Sequence, residues 1–179
     1  MLWAEIENAF LAKQITLREA LEREAAFVKL DRESGMLLWD SIVNVEPGFT
    51  EFVHAQRARG AQLTIVSAGI ETLIRHVLAQ LGLHDLPVIA NDVEFDPNGW
   101  RFKFIDDSPW GLYKERYVQA ARARGAHTIY IGDGISDYQA IHAAERRFAK
   151  RGRSLERYLE QHALAFTPFA RFAEIGASL

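Results

Sequence analysis

An α/β fold, a Rossmann-like parallel sheet with helices on both faces, is predicted by three features of this sequence. Short β-rich runs such as Leu63-Thr64-Ile65-Val66 alternate with segments of helical periodicity. The runs are short and apolar, as strands buried on both faces are. They end at Ser67, near Asn91 and at Asp133, and ligands of such sheets bind beyond the carboxyl ends of the strands.

The first third reads as helices. Trp3, Ile6 and Phe10 share one helical face. Thr16 and Glu19 form a capping-box pair, in which the hydroxyl accepts from the third helical N–H and the carboxylate reaches back. Leu21, Ala25 and Val28 continue the apolar stripe of that helix, and a third helix covers Met36 to Ile42. The pattern changes around Asn44 to Pro47, which sets a helical appendage, residues 1–45, against a main domain, residues 46–179. Pro47 suits the first turn of a helix that buries Phe49, Phe52 and Val53 and ends near Gly60. After the strand ending at Ser67, Ile70, Leu73, Ile74, Val77, Leu78 and Leu81 mark a helix that stops at Gly82. Pro87 to Ala90 is a strand, and Asp92 to Phe104 a hairpin turning at Pro97-Asn98-Gly99. Ser108-Pro109 starts a helix running to Gly125. The strand His127 to Ile131 opens directly into Gly132-Asp133-Gly134. A further helix, a strand at Arg147 to Ala149 and a segment at Phe166 to Phe169 complete the pattern.

Composition narrows the function classes. The 179 residues are 49 % apolar, enough for a sizeable core, and 21 basic against 24 acidic residues leave a net charge of -3. That balance argues against a nucleic-acid partner, since duplex binders carry a basic surplus. The absence of cysteine excludes disulfides, thiolate catalysis and cysteine-bound zinc. No apolar run is long enough to span a bilayer, and the start, Met1 to Glu7, lacks the pattern of a secretory leader. The expected compartment is the cytoplasm, with no membrane partner. Nothing in the pattern points to an oligomer.

The most informative stretch is Ile129-Tyr130-Ile131-Gly132-Asp133-Gly134-Ile135-Ser136-Asp137. An apolar strand delivers the Asp133 carboxylate to the sheet edge, and Asp137 follows in the first turn of the next helix. Mg2+ takes oxygen ligands and keeps several waters, so one or two carboxylates at a crowded loop suit it. The bland alternative makes Asp137 a favourable helix-start charge. Ser67, in Val66-Ser67-Ala68-Gly69, is either a phosphate-binding hydroxyl backed by free N–H groups or a plain N-cap. Lys114 stands near a helix start, against the dipole, and is either balanced by an anion or simply solvated. The histidines show no paired ligand spacing, and Asp92, Glu94 and Asp96 read as a solvated hairpin face.

Taken in order, Ser67, Lys114 and Gly132-Asp133-Gly134 with Asp137 resemble the haloacid dehalogenase superfamily of phosphatases, in its phosphoserine phosphatase-like branch. The stretches Glu46-Pro47-Gly48-Phe49, Ile65 to Gly69, Val88 to Asn91, and Tyr130 to Gly134 running on to Phe148-Ala149-Lys150 are similar to the methionine-salvage phosphatases, which act on a methylthio-pentenyl 1-phosphate. The resemblance implies a Mg2+-assisted aspartate that attacks phosphorus and gives an aspartyl-phosphate, later hydrolysed. It implies Asp133 as a metal ligand and catalytic residue, with Asp137 supporting or sharing the ion. Ser67, Ala68 and Gly69 would hold the phosphate of a small phosphorylated metabolite, and Lys114 would neutralise charge on that phosphate and on the nucleophile. The helices of residues 1–45 would form a cap that reads the rest of the substrate.

The family's Asp-x-Asp-x-Thr, at the end of its first and central strand, has no counterpart, and no Asp-x-Asp occurs anywhere in the chain. A start assigned too late or a fragment, a degenerate phosphatase kept for binding or interaction, and a strand supplied by a partner are the three explanations. The 179 residues alone are expected to be nearly inactive.

Overall fold

The computed structural model describes residues 3–179, so Met1 and Leu2, the start of the stretch read for a leader, lie outside the described residues. In chain order the elements are α1 (Trp3–Leu11), α2 (Leu17–Ala25), α3 (Arg32–Ile42), α4 (Phe49–Ala58), β1 (Ile65–Ile70), α5 (Glu71–Gln80), β2 (Val88–Glu94) and β3 (Arg101–Lys103). There follow α6 (Lys114–Ala123), β4 (Ile129–Gly132), a 3-10 turn (Ile135–Asp137), α7 (Tyr138–Ala143), β5 (Arg146–Lys150), α8 (Ser154–Gln161), β6 (Thr167–Phe169) and α9 (Phe172–Ser178). No described helix is long and apolar enough to cross a membrane.

The chain divides into two compact units. One comprises the segment up to Asn44 together with Thr64–Leu112, the other Val45–Leu63 together with Tyr113–Leu179. The strands form two three-stranded sheets, ordered β1-β2-β3 and β4-β5-β6.

In the first unit, helix α2 starts where the capping box places it: the Thr16 hydroxyl accepts from the Glu19 N–H at 3.1 Å, and the Glu19 carboxylate accepts from the Thr16 N–H at 2.7 Å. The Asp31 carboxylate caps α3 by accepting from the Ser34 N–H. Both helices are fastened to the hairpin by Trp100. Its main-chain N–H is shared by the Ala25 and Val28 carbonyls, and its indole N–H donates to the Leu30 carbonyl at 2.7 Å. A Cβ on Gly35 would overlap the indole ring, so a glycine is required for this approach. Ala25, Leu73, Val93 and Trp100 are the buried centre, with Met36, Trp39 and Phe95 against them.

β1 and β2 run parallel, with Ile65, Val66 and Ser67 opposite Val88, Ile89 and Ala90. The next pair is Ile70 with Asn91, so Ala68 and Gly69 are thrown out of the ladder as a bulge. Two local expectations change here. Ser67 is not the N-cap of α5, because Ile70 still pairs with β2 and the helix begins only at Glu71. Nor does Ser108-Pro109 open a helix. The Gly111 N–H closes a turn onto the Ser108 carbonyl, and Gly111 takes a φ of +80°, which an α-helix excludes. Helix α6 therefore begins at Lys114.

In the second unit, β4, β5 and β6 are all parallel, with Tyr130 opposite Arg147 and Gly132 opposite Ala149. Tyr130, Ala140, Ile141, Ala144, Ala149, Leu155 and Leu159 form its buried centre. Phe172 of α9 packs its ring on Phe49 and Phe52 of α4, which joins the 45–63 segment to this unit.

Candidate active site

Strand β4 carries the chain from a buried Tyr130 to an exposed Asp133. The 3-10 turn then folds Asp137 back beneath the loop it has just left. A Cβ on Gly132 would stand 2.7 Å from one Asp137 oxygen, so this approach requires a glycine. Four hydrogen bonds converge on the Asp137 carboxylate. One oxygen accepts from the Lys114 ammonium at 2.6 Å and the Tyr130 hydroxyl at 2.8 Å; the other accepts from the N–H groups of Asp133 and Gly134, each at 3.0 Å.

Lys114 and Asp137 are an ion pair with side chains only 7 % exposed, which overturns the solvated-lysine alternative. Lys114 also donates to the Ser136 hydroxyl at 2.9 Å. Burial alone would push the Asp137 carboxyl up, but the Lys114 charge and hydrogen bond, the Gly134 N–H and the Tyr130 hydroxyl outweigh it and hold the carboxyl below its usual range. For Tyr130, burial first and then the adjoining Asp137 charge push the phenol well up, so it stays a protonated donor.

The Asp133 side chain, by contrast, is exposed and accepts no hydrogen bond from any described residue. Among the described residues no three acidic or histidine side chains cluster as a metal cage. One free carboxylate at a loop fits a hard cation that retains most of its water. The Asp137 oxygens are already occupied by protein donors, so the geometry suits Asp137 to holding the Asp133 loop in place. Tyr130 and Ser136 belong to this cluster and were not singled out from the sequence. Tyr130 reads as one more apolar strand residue, and only its hydroxyl distinguishes it.

In the other unit, the Ser67–Gly69 bulge carries the second group of candidates. The Ser67 hydroxyl oxygen accepts from the Gly69 N–H at 3.0 Å, which leaves its own proton available to a ligand. Ala68 is buried. Asp92, Glu94 and Asp96 are spoken for, Asp92 by the Thr72 hydroxyl and the other two by Arg101.

Residues 4–142 match the haloacid dehalogenase-like hydrolase family. The chain is 30 % identical to Pdp3-interacting factor 1 of Schizosaccharomyces pombe, over 97 % of this chain and 80 % of that protein. It is 27 % identical to 2-hydroxy-3-keto-5-methylthiopentenyl-1-phosphate phosphatase of Microcystis aeruginosa, over 97 % of this chain and 82 % of that protein, in line with the methionine-salvage resemblance. A phosphoserine phosphatase, solved as an analogue of its phospho-aspartyl intermediate, shares the fold. The TM-score is 0.73 at 16 % identity, covering 99 % of this chain and 84 % of the other. With more than half its length matched and the α/β fold in common, the chain belongs to the haloacid dehalogenase-like hydrolases.

Proposed function

We propose that this is a phosphatase domain acting on a small phosphorylated metabolite with Mg2+. The observation that carries the reading is the buried Lys114–Asp137 pair tied to the loop of an exposed Asp133 whose side chain has no partner among the described residues. A lysine buried against its carboxylate next to a free carboxylate is costly for stability alone, and it suits a site where an anion and a cation are handled together.

In this reading Asp133 binds the ion directly and Asp137 supports it by orienting the Asp133 and Gly134 N–H groups. The ion, when bound, would neutralise phosphoryl charge. Lys114 spends two of its ammonium protons on Asp137 and Ser136, and the third is left for a phosphoryl or nucleophile oxygen. In the other unit, the Ser67 hydroxyl has a proton to offer a phosphate oxygen, with the Ala68–Gly69 backbone beside it. The aspartyl-phosphate route needs a nucleophilic aspartate, and these 179 residues hold no Asp-x-Asp.

We therefore expect the purified chain to bind Mg2+ and inorganic phosphate and to hydrolyse aryl phosphate at close to the uncatalysed rate. Robust Mg2+-dependent hydrolysis by the chain itself contradicts this. The missing motif also leaves an alternative reading, a phosphate-binding or interaction module without turnover. Translating the DNA upstream of Met1 separates them: an in-frame Asp-x-Asp-x-Thr supports the enzyme, and a stop codon with no such motif supports the module.

A further inference from the structure

We propose that Asn91 is a positioning residue that sets the hydroxyl of Ser67 for anion binding; this rests on the phosphate-holding role proposed for the Ser67–Gly69 bulge. Asn91 closes the parallel pairing of β2 with β1 and is fully buried, at 0 % exposure. Its amide nitrogen donates to the carbonyls of Ala68 and Gly111, both at 2.9 Å, and its amide oxygen accepts from the Ile105 N–H at 3.1 Å. Both donor protons are used and the oxygen is engaged, so the side chain has no donor left for a ligand. Asn91 acts on the loops around it.

The bulge shows what that action is. Ala68 and Gly69 have left the β1–β2 ladder, and the Asn91 side chain supplies the donor that the ladder no longer gives to the Ala68 carbonyl. That carbonyl and the Gly69 N–H belong to one planar trans peptide, and they point in opposite directions. Holding the carbonyl toward Asn91 therefore aims the N–H the other way, where it meets the Ser67 hydroxyl oxygen at 3.0 Å. With that lone pair taken, the hydroxyl keeps its proton for an incoming acceptor. Asn91 thus reaches Ser67 through a single rigid peptide.

A second contact fixes the same peptide from the side. Gly111, the other acceptor of the Asn91 amide, approaches so closely that a Cβ on it would lie 3.1 Å from the Ala68 Cβ. The Asn91 amide bridges these two segments by donating to a carbonyl of each. An apolar residue of the same size could fill the space but would leave both carbonyls unpaired.

The test compares the whole chain with its Asn91→Leu and Asn91→Asp variants. It reads the affinity for inorganic phosphate by calorimetry and the Gly69 backbone amide by 1H–15N spectroscopy. Asn91→Asp keeps the side-chain shape and serves if the leucine variant does not fold. Loss of thermal stability is expected in either variant and does not discriminate. A positioning role predicts that the Gly69 amide shifts and exchanges about tenfold faster, and that phosphate affinity falls about tenfold, approaching that of Ser67→Ala. An unmoved Gly69 amide, or phosphate affinity kept within about twofold by a folded variant, overturns the proposal. If the unaltered chain binds phosphate no better than Ser67→Ala does, the phosphate reading of the bulge fails instead, and the Gly69 amide still decides whether Asn91 orients it.

Discussion

Replacing Lys114 with methionine is expected to destabilise the protein by about 3–5 kcal/mol, because it leaves a buried carboxylate without its cation. The native pair is 2.6 Å apart with both side chains almost excluded from water. Methionine fills much of the same volume, so the loss is electrostatic rather than a cavity. Acidification gives the prediction its sign. In the native chain the Asp137 carboxyl lies below its usual range. Its contribution to stability is therefore present above the unfolded value, near pH 3.9, and is lost as the pH falls through the depressed folded value. In Lys114→Met the largest remaining influence is burial, which raises the carboxyl. Relative to the native protein, that variant should gain stability as the pH falls from neutral toward about 4, a range in which the native Asp137 contribution does not change. Denaturant unfolding in EDTA at several pH values checks both the size and the reversal. An equal loss at every pH would show that the pair is not the origin.

The second large effect separates binding from folding. Asp133→Asn should leave stability within about 0.5 kcal/mol of the native value, since the side chain is exposed and without a described partner. It should weaken Mg2+ binding by about 100-fold or more, because the charge count of the ligands sets affinity over orders of magnitude. Calorimetry on the variant reads the affinity and thermal unfolding the stability. A large loss of stability with unchanged Mg2+ affinity would make Asp133 a structural residue. Its contrast with Lys114 follows from burial: Lys114 is buried against Asp137, which holds the loop, whereas Asp133 faces the solvent.

How much of this was legible depended on how local each feature is. The Thr16–Glu19 box, the Pro97-Asn98-Gly99 turn and the apolar run into Gly132-Asp133-Gly134 are written within a few residues, and the structure shows all three. The burial of Lys114 is set by a partner 23 residues away, which no local pattern reveals. Its place at a helix start, against the dipole, marks Lys114 in the sequence but leaves open whether an anion balances it or water does. Asn91 was noticed as a strand end, but its role depends on carbonyls 20 and 23 residues off along the chain. Boundaries failed where backbone geometry decided them. Ile70 stays in the ladder and delays α5, and the positive φ of Gly111 delays α6 to Lys114.

The divalent-cation site proposed for the loop held by Asp137 can be probed by titrating Mg2+ into the chain while following the backbone amides. Saturable shifts centred on Asp133, Gly134 and Asp137, absent in Asp133→Asn, are the predicted result. No saturable response in millimolar Mg2+, or one centred on residues away from this loop, would contradict it.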